Sequence, residues 1–415
     1  NYKNKFKTNM KTIKLSWRNL WRNPTRTNVT ISAVALCIAI LIIFQSMIVG
    51  LIEKAVFNTT NLIIGEVQIH ANDYLNDRSI YKSLKNREKI KSIAKKNNIG
   101  FVERSYGFGL ISSGTKSAGT QFWGVNPESE LQHFNFAKHM DEGNFLTNSS
   151  LNKIVLGKKL ALSLDAKVGS ELVVFVQGAD GSLGNELFYV SGILKNVADN
   201  IDRGAAIILK SDFDILFSSN DLIHEIALNS KGNFEPEEIQ DLMSAEIKDV
   251  EIDTWKQLMP TISLMTEKMS VFMRTLFSLI FTIAAGLGIM NTMIMSTYDR
   301  MKEFGIIRAI GATPWRIIKQ VSLEAITLTV IASIIGTIVG LSAALYFQKY
   351  GFDVSGQGNL SFGGVVMDPI WRASVSLEIV LLPITLMMLT SVISSLYPAS
   401  IAARIKPVEA IHYKQ

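Results

Sequence analysis

The sequence predicts a membrane protein of four transmembrane α-helices, with a large α+β domain inserted between helices 1 and 2. Three observations carry that fold class. Four windows, 29–52, 275–298, 325–348 and 379–403, hold no charged residue, although 19% of the 415 residues are charged. A helix rises about 1.5 Å per residue, so each window can cross roughly 30 Å of hydrocarbon with some tilt. Charge is also sorted along the chain: residues 1–28, 299–319 and 404–415 together carry 16 basic and 3 acidic residues, whereas 53–274 carries 24 basic and 29 acidic. Lys/Arg enrichment in short flanking loops marks the cytoplasmic side, which leaves 53–274 outside, and that stretch is long enough to fold as a domain. The overall charge of +6 is thus a topology signal, and no nucleic-acid partner is expected from it.

The elements follow in order. Residues 1–27 read as a cytoplasmic, interfacial amphipathic helix: Met10, Ile13, Trp17, Leu20 and Trp21 share one face, and Lys11, Lys14, Arg18 and Arg22 share the other. That pattern suits a helix in the headgroup plane against membrane lipid, and Pro24 ends it. Residues 28–57 form transmembrane helix 1 and the start of a stalk; the run is too long for a cleaved signal. The outer domain occupies 58–260. There the Gly65–Ala71 segment alternates as a strand does, Leu172–Val176 is expected to pair with Leu187–Val190, and Asn86–Asn97 and Glu237–Val250 read as surface helices. Residues 261–298 are a second stalk and transmembrane helix 2, expected as one unbroken helix. A cytoplasmic helix (299–317), transmembrane helix 3 (318–348), a short outer loop (349–374), transmembrane helix 4 (375–403) and a cytoplasmic tail (404–415) complete the chain.

No enzymatic arrangement emerges. His70, His133, His139, His224 and His412 are scattered, no zinc-type spacing exists, and Cys37 has no partner. The histidines are expected to be ordinary packing or surface residues, with no metal site. Lys158 is not a P-loop lysine, since Asn152 stands where that motif has glycine and Lys159 where it has Ser or Thr.

Two segments carry mechanism. In Asp299–Lys319, Phe304, Ile307 and Ile310 give an apolar stripe beside Arg300, Glu303 and Arg308. Gly311 is placed to close that helix in a left-handed conformation, and Thr313 to cap the next one with Pro314 at its first position. With Ala312, these residues make a rigid elbow suited to docking a partner. Glu324, inside the following span, needs a partner at such depth, for which Arg308 and Arg316 are the expected candidates. In the second segment, Ile262, Met265, Met269, Phe272 and Leu276 recur at two-helix spacing opposite Phe44, Ile48, Leu51 and Ala55. Met265, Met269, Phe272 and Met273, with Phe44, Met47, Ile48 and Leu51, are the candidates for an adaptable apolar cavity. Gln45 faces either a neighbouring helix or that cavity.

Three blocks resemble the permease subunits of the MacB/LolC/FtsX class of ABC transporters (type VII). These are Arg18-Asn19-Leu20-Trp21-Arg22-Asn23; Asp299-Arg300 through Glu303-Phe304-Gly305-Ile306-Ile307-Arg308-Ala309-Ile310-Gly311-Ala312-Thr313, followed by Glu324; and Tyr397-Pro398-Ala399 with Ala402 to Ala410. The resemblance implies a multi-pass protein of the bacterial inner membrane, its large domain in the periplasm. It implies a dimer of permeases carrying two ATPase subunits, which bind the ATP and Mg that this chain does not. The 299–317 block is then the coupling helix, and ATP-driven closure moves the stalks and outer domains by mechanotransmission. Domain size and a separate ATPase make the lipoprotein-releasing LolC/LolE type the nearest likeness. On that reading the partners are a LolD-like ATPase, a second permease (a LolC/LolE-like paralogue or a second copy), a triacylated lipoprotein and a LolA-like periplasmic chaperone. The 177–186 loop, with Gly178, Asp180, Gly181 and Leu183, stands where the chaperone-recruiting hook of that type lies, but is shorter and lacks proline. The alternatives are a MacB-like tripartite efflux permease and an FtsX-like regulator of a cell-wall hydrolase.

Overall fold

The computed structural model describes residues 16–194, 198–354, 361–362, 365–366 and 370–405. Met10, Ile13, Lys11 and Lys14 of the expected interfacial helix, His412 and the 406–415 tail lie outside them. The chain divides into two compact units, a membrane unit drawn from 1–52, 269–354 and 370–415 and an outer unit drawn from 53–268 and 355–369.

Four helices are long and apolar enough to span a bilayer, the longest runs being Pro24–Leu62, Pro260–Asp299, Pro314–Tyr350 and Leu377–Arg404. Between apolar helices in lipid there is little hydrophobic drive to associate, so close backbone approach and side-chain hydrogen bonds must supply specificity. Both are present. Gly336 and Gly340 of the third span lie on the first: a Cβ on Gly336 would stand 2.5 Å from the Ala35 carbonyl oxygen, and one on Gly340 would stand 2.9 Å from the Ala39 Cα. The first and second spans share a buried Thr30–Thr292 hydroxyl bond of 2.6 Å. Gln45 Nε2 donates to Ser278 Oγ at 3.0 Å, so Gln45 faces a neighbouring helix. The core around these contacts runs through Ile38, Leu41, Ile42, Ile289, Leu328 and Met387.

The second span is not one uniform helix. It is assembled from Pro260–Leu264, a π-helical turn at Met265–Met269 and Ser270–Asp299. The pattern of apolar residues reveals period but not a local widening to five residues per hydrogen-bonded ring. Another π-turn, Thr60–Ile64, follows the first span's helix.

The outer unit contains β1 (Val67–Ala71), β2 (Gly100–Ser113), β3 (Lys116–Val125), β4 (Met140–Gly143), β5 (Lys153–Leu156), β6 (Glu171–Gln177), β7 (Leu183–Leu194), β8 (Ala205–Leu209), β9 (Glu225–Asn229) and β10 (Val250–Thr254). They form one sheet in the order β10-β1-β9-β2-β3-β8-β5-β7-β4, with β6 bridging β2 and β7. All pairings are antiparallel except β3–β8 and β5–β7. The expected pairing across the glycine-rich loop is present, with Leu172 opposite Phe188 and Val173 opposite Leu187. The expected helix over 86–97 is Arg87–Lys96. That over 237–250 is shorter, Pro236–Glu246, because Val250 already belongs to β10. Apolar side chains bury between sheet and helices in three clusters, one of them packing Ile90, Ile93 and Met243 onto Ile69 and Ile226.

Candidate functional site: a clamped coupling element

The segment after the second span folds as a short helix, Met301–Ala309, then an elbow, then the third span beginning at Pro314. Gly311 has φ +96°, a left-handed value that a residue with a Cβ adopts only under strain. Its N–H donates to the Arg308 carbonyl at 3.0 Å, and that of Ala312 donates to Ile307 at 3.2 Å. Thr313 stands at the N-cap in extended conformation, but its side chain makes no capping bond; Pro314 is the first helical residue.

The apolar residues of this element divide differently from the expected stripe. Phe304 is fully buried in the membrane unit's core and Ile307 half-buried, whereas Ile310 is 82% exposed. The outward apolar surface is instead Ile306, Ile310 and Trp315, the last 71% exposed. A spacing of 3 fits one helical face only while the helix lasts, and this one ends before Ile310.

Beneath that surface lies a polar clamp. Arg300 Nη1 reaches both oxygens of Glu324 at 2.8 and 2.9 Å, and Asn19 Nδ2 donates to Glu324 Oε1 at 2.7 Å. Arg300 and Glu324 are both buried. The Arg300 guanidinium also lies 5.0 Å from the Phe304 ring centre, and its Nε donates to Glu303 at 3.2 Å. The partner of Glu324 is therefore Arg300, not Arg308 or Arg316. Arg308 instead donates to the Ala403 carbonyl at 2.9 Å, at the end of the fourth span, and Arg316 is exposed. Arg22 pairs with Glu303 and Arg26 with Asp299 at 3.0 Å. Burial would raise the Glu303 carboxyl, but Arg22 and Arg300 hold it below its usual value. Thus the short helix is tied to the chain before the first span, to the third span and to the fourth. Trp17 and Trp21 of the expected interfacial face meet edge to face at 6.0 Å and are exposed, while Leu20 turns into the core.

Met269, Phe272 and Met273 are exposed on the second span and Met265 is half-buried; Phe44, Met47, Ile48 and Leu51 are half-buried on the first. Phe44 meets Phe277 (ring centres 4.0 Å), and Ser278, Ala285 and Ile289 are among the buried positions of the second span. The expected seam is thus rotated: Met269, Phe272 and Leu276 face away from the first span's partner surface. Ile262 does pack inward, with Val56, Ile64, Trp255 and Met259 in the outer unit.

In the outer unit, Gly178, Asp180 and Gly181 form the tight turn of the β6–β7 hairpin. Gly178 N–H donates to Ser182 at 2.8 Å, Gly181 has φ +81°, and Asp180 Oδ1 accepts from the Ser182 hydroxyl at 2.6 Å. Those Ser182 bonds hold the Asp180 carboxyl below its usual range. Leu183 is 88% exposed, and behind it the outward faces of paired strands are apolar: Leu110 lies opposite Phe175 and Val173 opposite Leu187, all four exposed.

Sequence reasoning missed a buried ionic centre in the same unit. Arg104 contacts Glu130 through two nitrogens (2.7 and 3.0 Å) and Glu225 at 3.0 Å. His70 Nε2 lies 3.3 Å from Glu225. Burial works against these charges, but Glu130 raises Arg104 well above its usual value, and His70 and Arg104 hold Glu225 below its own. His224 is buried beside them; its Nε2–H donates to the Ile80 carbonyl and its Nδ1 accepts from the Tyr106 N–H, both at 2.9 Å. His70 and His224 are both buried within this polar core. The charged residues at strand positions 104 and 225 were the available signal.

Comparison with known proteins follows this division. Residues 27–246 match the MacB-like periplasmic core domain, and residues 275–407 match the FtsX-like permease C-terminal domain. An uncharacterized ABC transporter permease of Methanocaldococcus jannaschii is 24% identical over 281 residues, covering 66% of this chain and 65% of the relative. The permease YknZ of Bacillus subtilis is 29% identical over 132 residues (32% of this chain, 29% of the relative). The macrolide export ATP-binding/permease protein MacB of Escherichia coli K12 is 25% identical over 195 residues (46% and 27%). The chain therefore spans less than two thirds of the length of these relatives. Among solved structures, the periplasmic region of MacB from Actinobacillus actinomycetemcomitans matches at 15% identity and TM-score 0.35, covering 48% of this chain and 92% of that one. Four apolar helices and a periplasmic core domain make this a multi-pass inner-membrane protein with its large domain in the periplasm. It belongs to the MacB/FtsX-like permease family of ABC transporters.

Proposed function

We propose that the chain is a mechanotransmitting permease subunit: an ATPase bound at the coupling element drives movement of the periplasmic domain, and the cargo is an acylated lipoprotein lifted from the membrane. The observation that carries the docking role is the clamp. Ile306, Ile310 and Trp315 form an outward apolar surface whose backbone is pinned by Arg300, Glu324, Arg22 and Arg308. A force applied to a floppy loop would dissipate there; three spans receive it here. ATP and Mg belong to the ATPase, two copies of which serve a pair of permeases.

The cargo reading rests on Met269, Phe272 and Met273, exposed apolar side chains on the second span. In a dimer with a second copy or a paralogous permease, they would face a shared apolar space. Extraction of three acyl chains opposes about 0.8 kcal/mol per CH₂, tens of kcal/mol in all, which calls for both an apolar host and an ATP-driven stroke. The apolar face behind Leu183 then hands cargo to a LolA-like carrier. A second reading, export of small molecules by a MacB-like assembly, is favoured by the relatives whose names describe macrolide export.

Mass spectrometry of the natively purified complex discriminates the two. Copurified acylated protein, lost in Met269→Glu while the ATPase is retained, is expected; an adaptor and outer-membrane channel without acylated protein would favour the second reading. An undiminished acylated fraction in Met269→Glu would refute the cavity assignment.

A further inference from the structure

The ionic centre of the outer unit opens onto a cavity of roughly 450 Å³. That is within the range of small-molecule sites, about 300–1,000 Å³. Its wall is divided. Ile64, Leu75, Trp123, Leu258 and Met259 give an apolar side, and the polar side includes Gln68, His70, Tyr74, Glu225 and the charged Arg78, Arg104 and Asp253. All belong to the outer unit. Ile64 lies just after the first helix enters this unit, and Leu258 and Met259 lie just before Pro260 begins the next.

Two polar atoms of this wall have no partner among the described residues: His70 Nδ1 and the Tyr74 hydroxyl oxygen. Their side chains are only 1% and 2% exposed. A buried polar atom without a partner costs about 1–3 kcal/mol, and two of them side by side at a cavity are a mark of a recognition surface. The rings are held firmly. His70 stacks on Tyr74 (centres 5.6 Å) and Tyr74 stacks on His224 (5.5 Å). Because Glu225 accepts only, His70 Nε2 carries a hydrogen toward it, and Nδ1 is left without a partner. The Tyr74 hydroxyl keeps its proton, since burial and the nearby Glu225 raise its pKa; it can donate and accept.

We propose that this cavity binds a small neutral ligand that carries an amide on an apolar body. The amide bonds His70 Nδ1 at one end and the Tyr74 hydroxyl at the other, and the apolar part rests on Leu75, Leu258 and Met259. Arg78, Arg104, Asp253 and Glu225 all line the cavity, two charges of each sign, so neither a cation nor an anion is favoured over a neutral ligand. This site is independent of the cargo assignment, since it uses none of the membrane-unit residues.

The test is isothermal titration calorimetry of the full chain in nanodiscs with N-acetyl-L-leucinamide, and with methyl β-D-glucoside as a hydroxyl-only probe. The expected result is one saturable site for the amide, weakened about three- to tenfold in Tyr74→Phe, the worth of one hydrogen bond. Leu258→Trp, which fills the apolar end, should abolish binding. Tyr74→Phe should melt no lower than the wild type, because it removes an unpartnered hydroxyl; this separates a binding role from a structural one. The proposal is overturned by the absence of saturable heat, which would leave water as the occupant, by unchanged affinity in Tyr74→Phe and Leu258→Trp, or by a glucoside that binds as tightly as the amide.

Discussion

Glutamine in place of Glu324 leaves the side chain's shape almost intact and removes its charge, so it isolates the clamp from its packing. In the native arrangement Glu324 accepts two bonds from Arg300 at 2.8 and 2.9 Å and one from Asn19 at 2.7 Å. Both members of the ion pair are buried. Removing one charge of such a pair strands the other, at a cost of about 3–5 kcal/mol. Arg300 keeps its contact with half-exposed Glu303, and glutamine retains one acceptor, so the lower end, about 3 kcal/mol, is expected. The assay is denaturant-driven unfolding of the full chain in mixed micelles, with Glu324→Gln measured beside a cycle of Glu324→Met, Arg300→Met and the double variant Arg300→Met/Glu324→Met. The double variant buries no charge at this point and should recover most of the loss. The cycle therefore reports a coupling of about 2 kcal/mol or more between the two positions. A cost below about 1 kcal/mol for Glu324→Gln, or a double variant as unstable as the two single losses added, would refute the reading of a buried, mutually dependent pair.

Three further outcomes follow from the same geometry. Gly311→Ala must place a Cβ at φ +96° with open space around it, so the loss is conformational, about 1–2 kcal/mol, and is read as a lowered melting midpoint. Ile310→Asp, at a position 82% exposed, should leave that midpoint unchanged and abolish copurification of the ATPase, which a pull-down from native membranes measures. Burial holds the His224 imidazole below its ordinary value of about 6.5. The folded form thus resists a proton that the unfolded chain accepts. Its stabilising contribution is complete above pH 6.5 and is lost as pH falls from there toward the folded value. Protonation of Nδ1 would break the bond from the Tyr106 N–H. A melting midpoint that falls between pH 6.5 and 5.5 in the wild type, but less steeply in His224→Gln, is expected; equal slopes would contradict it.

The membrane helices were legible because four uncharged windows leave little alternative, and the elbow was legible because Gly311 and Thr313-Pro314 are local signals whose meaning depends on three or four neighbouring residues. The β6–β7 hairpin could be read for the same reason: its alternation and turn glycines are adjacent in sequence. Partnerships could not. Glu324 is nearer in sequence to Arg308 and Arg316, yet it binds Arg300 and Asn19, because the elbow folds the Met301–Ala309 helix back and the chain before Pro24 returns beside it. Likewise Arg104, Glu130 and Glu225 are separated by 26 and 121 positions from one another's bonds, a distance no pattern bridges. Helical period placed Met269 and Phe272 on one face but could not say which face meets the first span; Gln45–Ser278 and Phe44–Phe277 decide that. The pair Gly336 and Gly340 was not singled out in the sequence; only its close approach to Ala35 and Ala39 gives it meaning.

On the proposed function, a nucleotide-driven stroke at the coupling element reaches the periplasmic domain. The most direct measurement is pulsed electron spin resonance between labels at Leu183 on paired permeases, in the reconstituted complex with its ATPase, without nucleotide and with ATP trapped by vanadate. The distance distribution should shift with ATP in the wild type and stay at its nucleotide-free value in Ile310→Asp. An unchanged distribution while the wild-type complex hydrolyses ATP would contradict the claim.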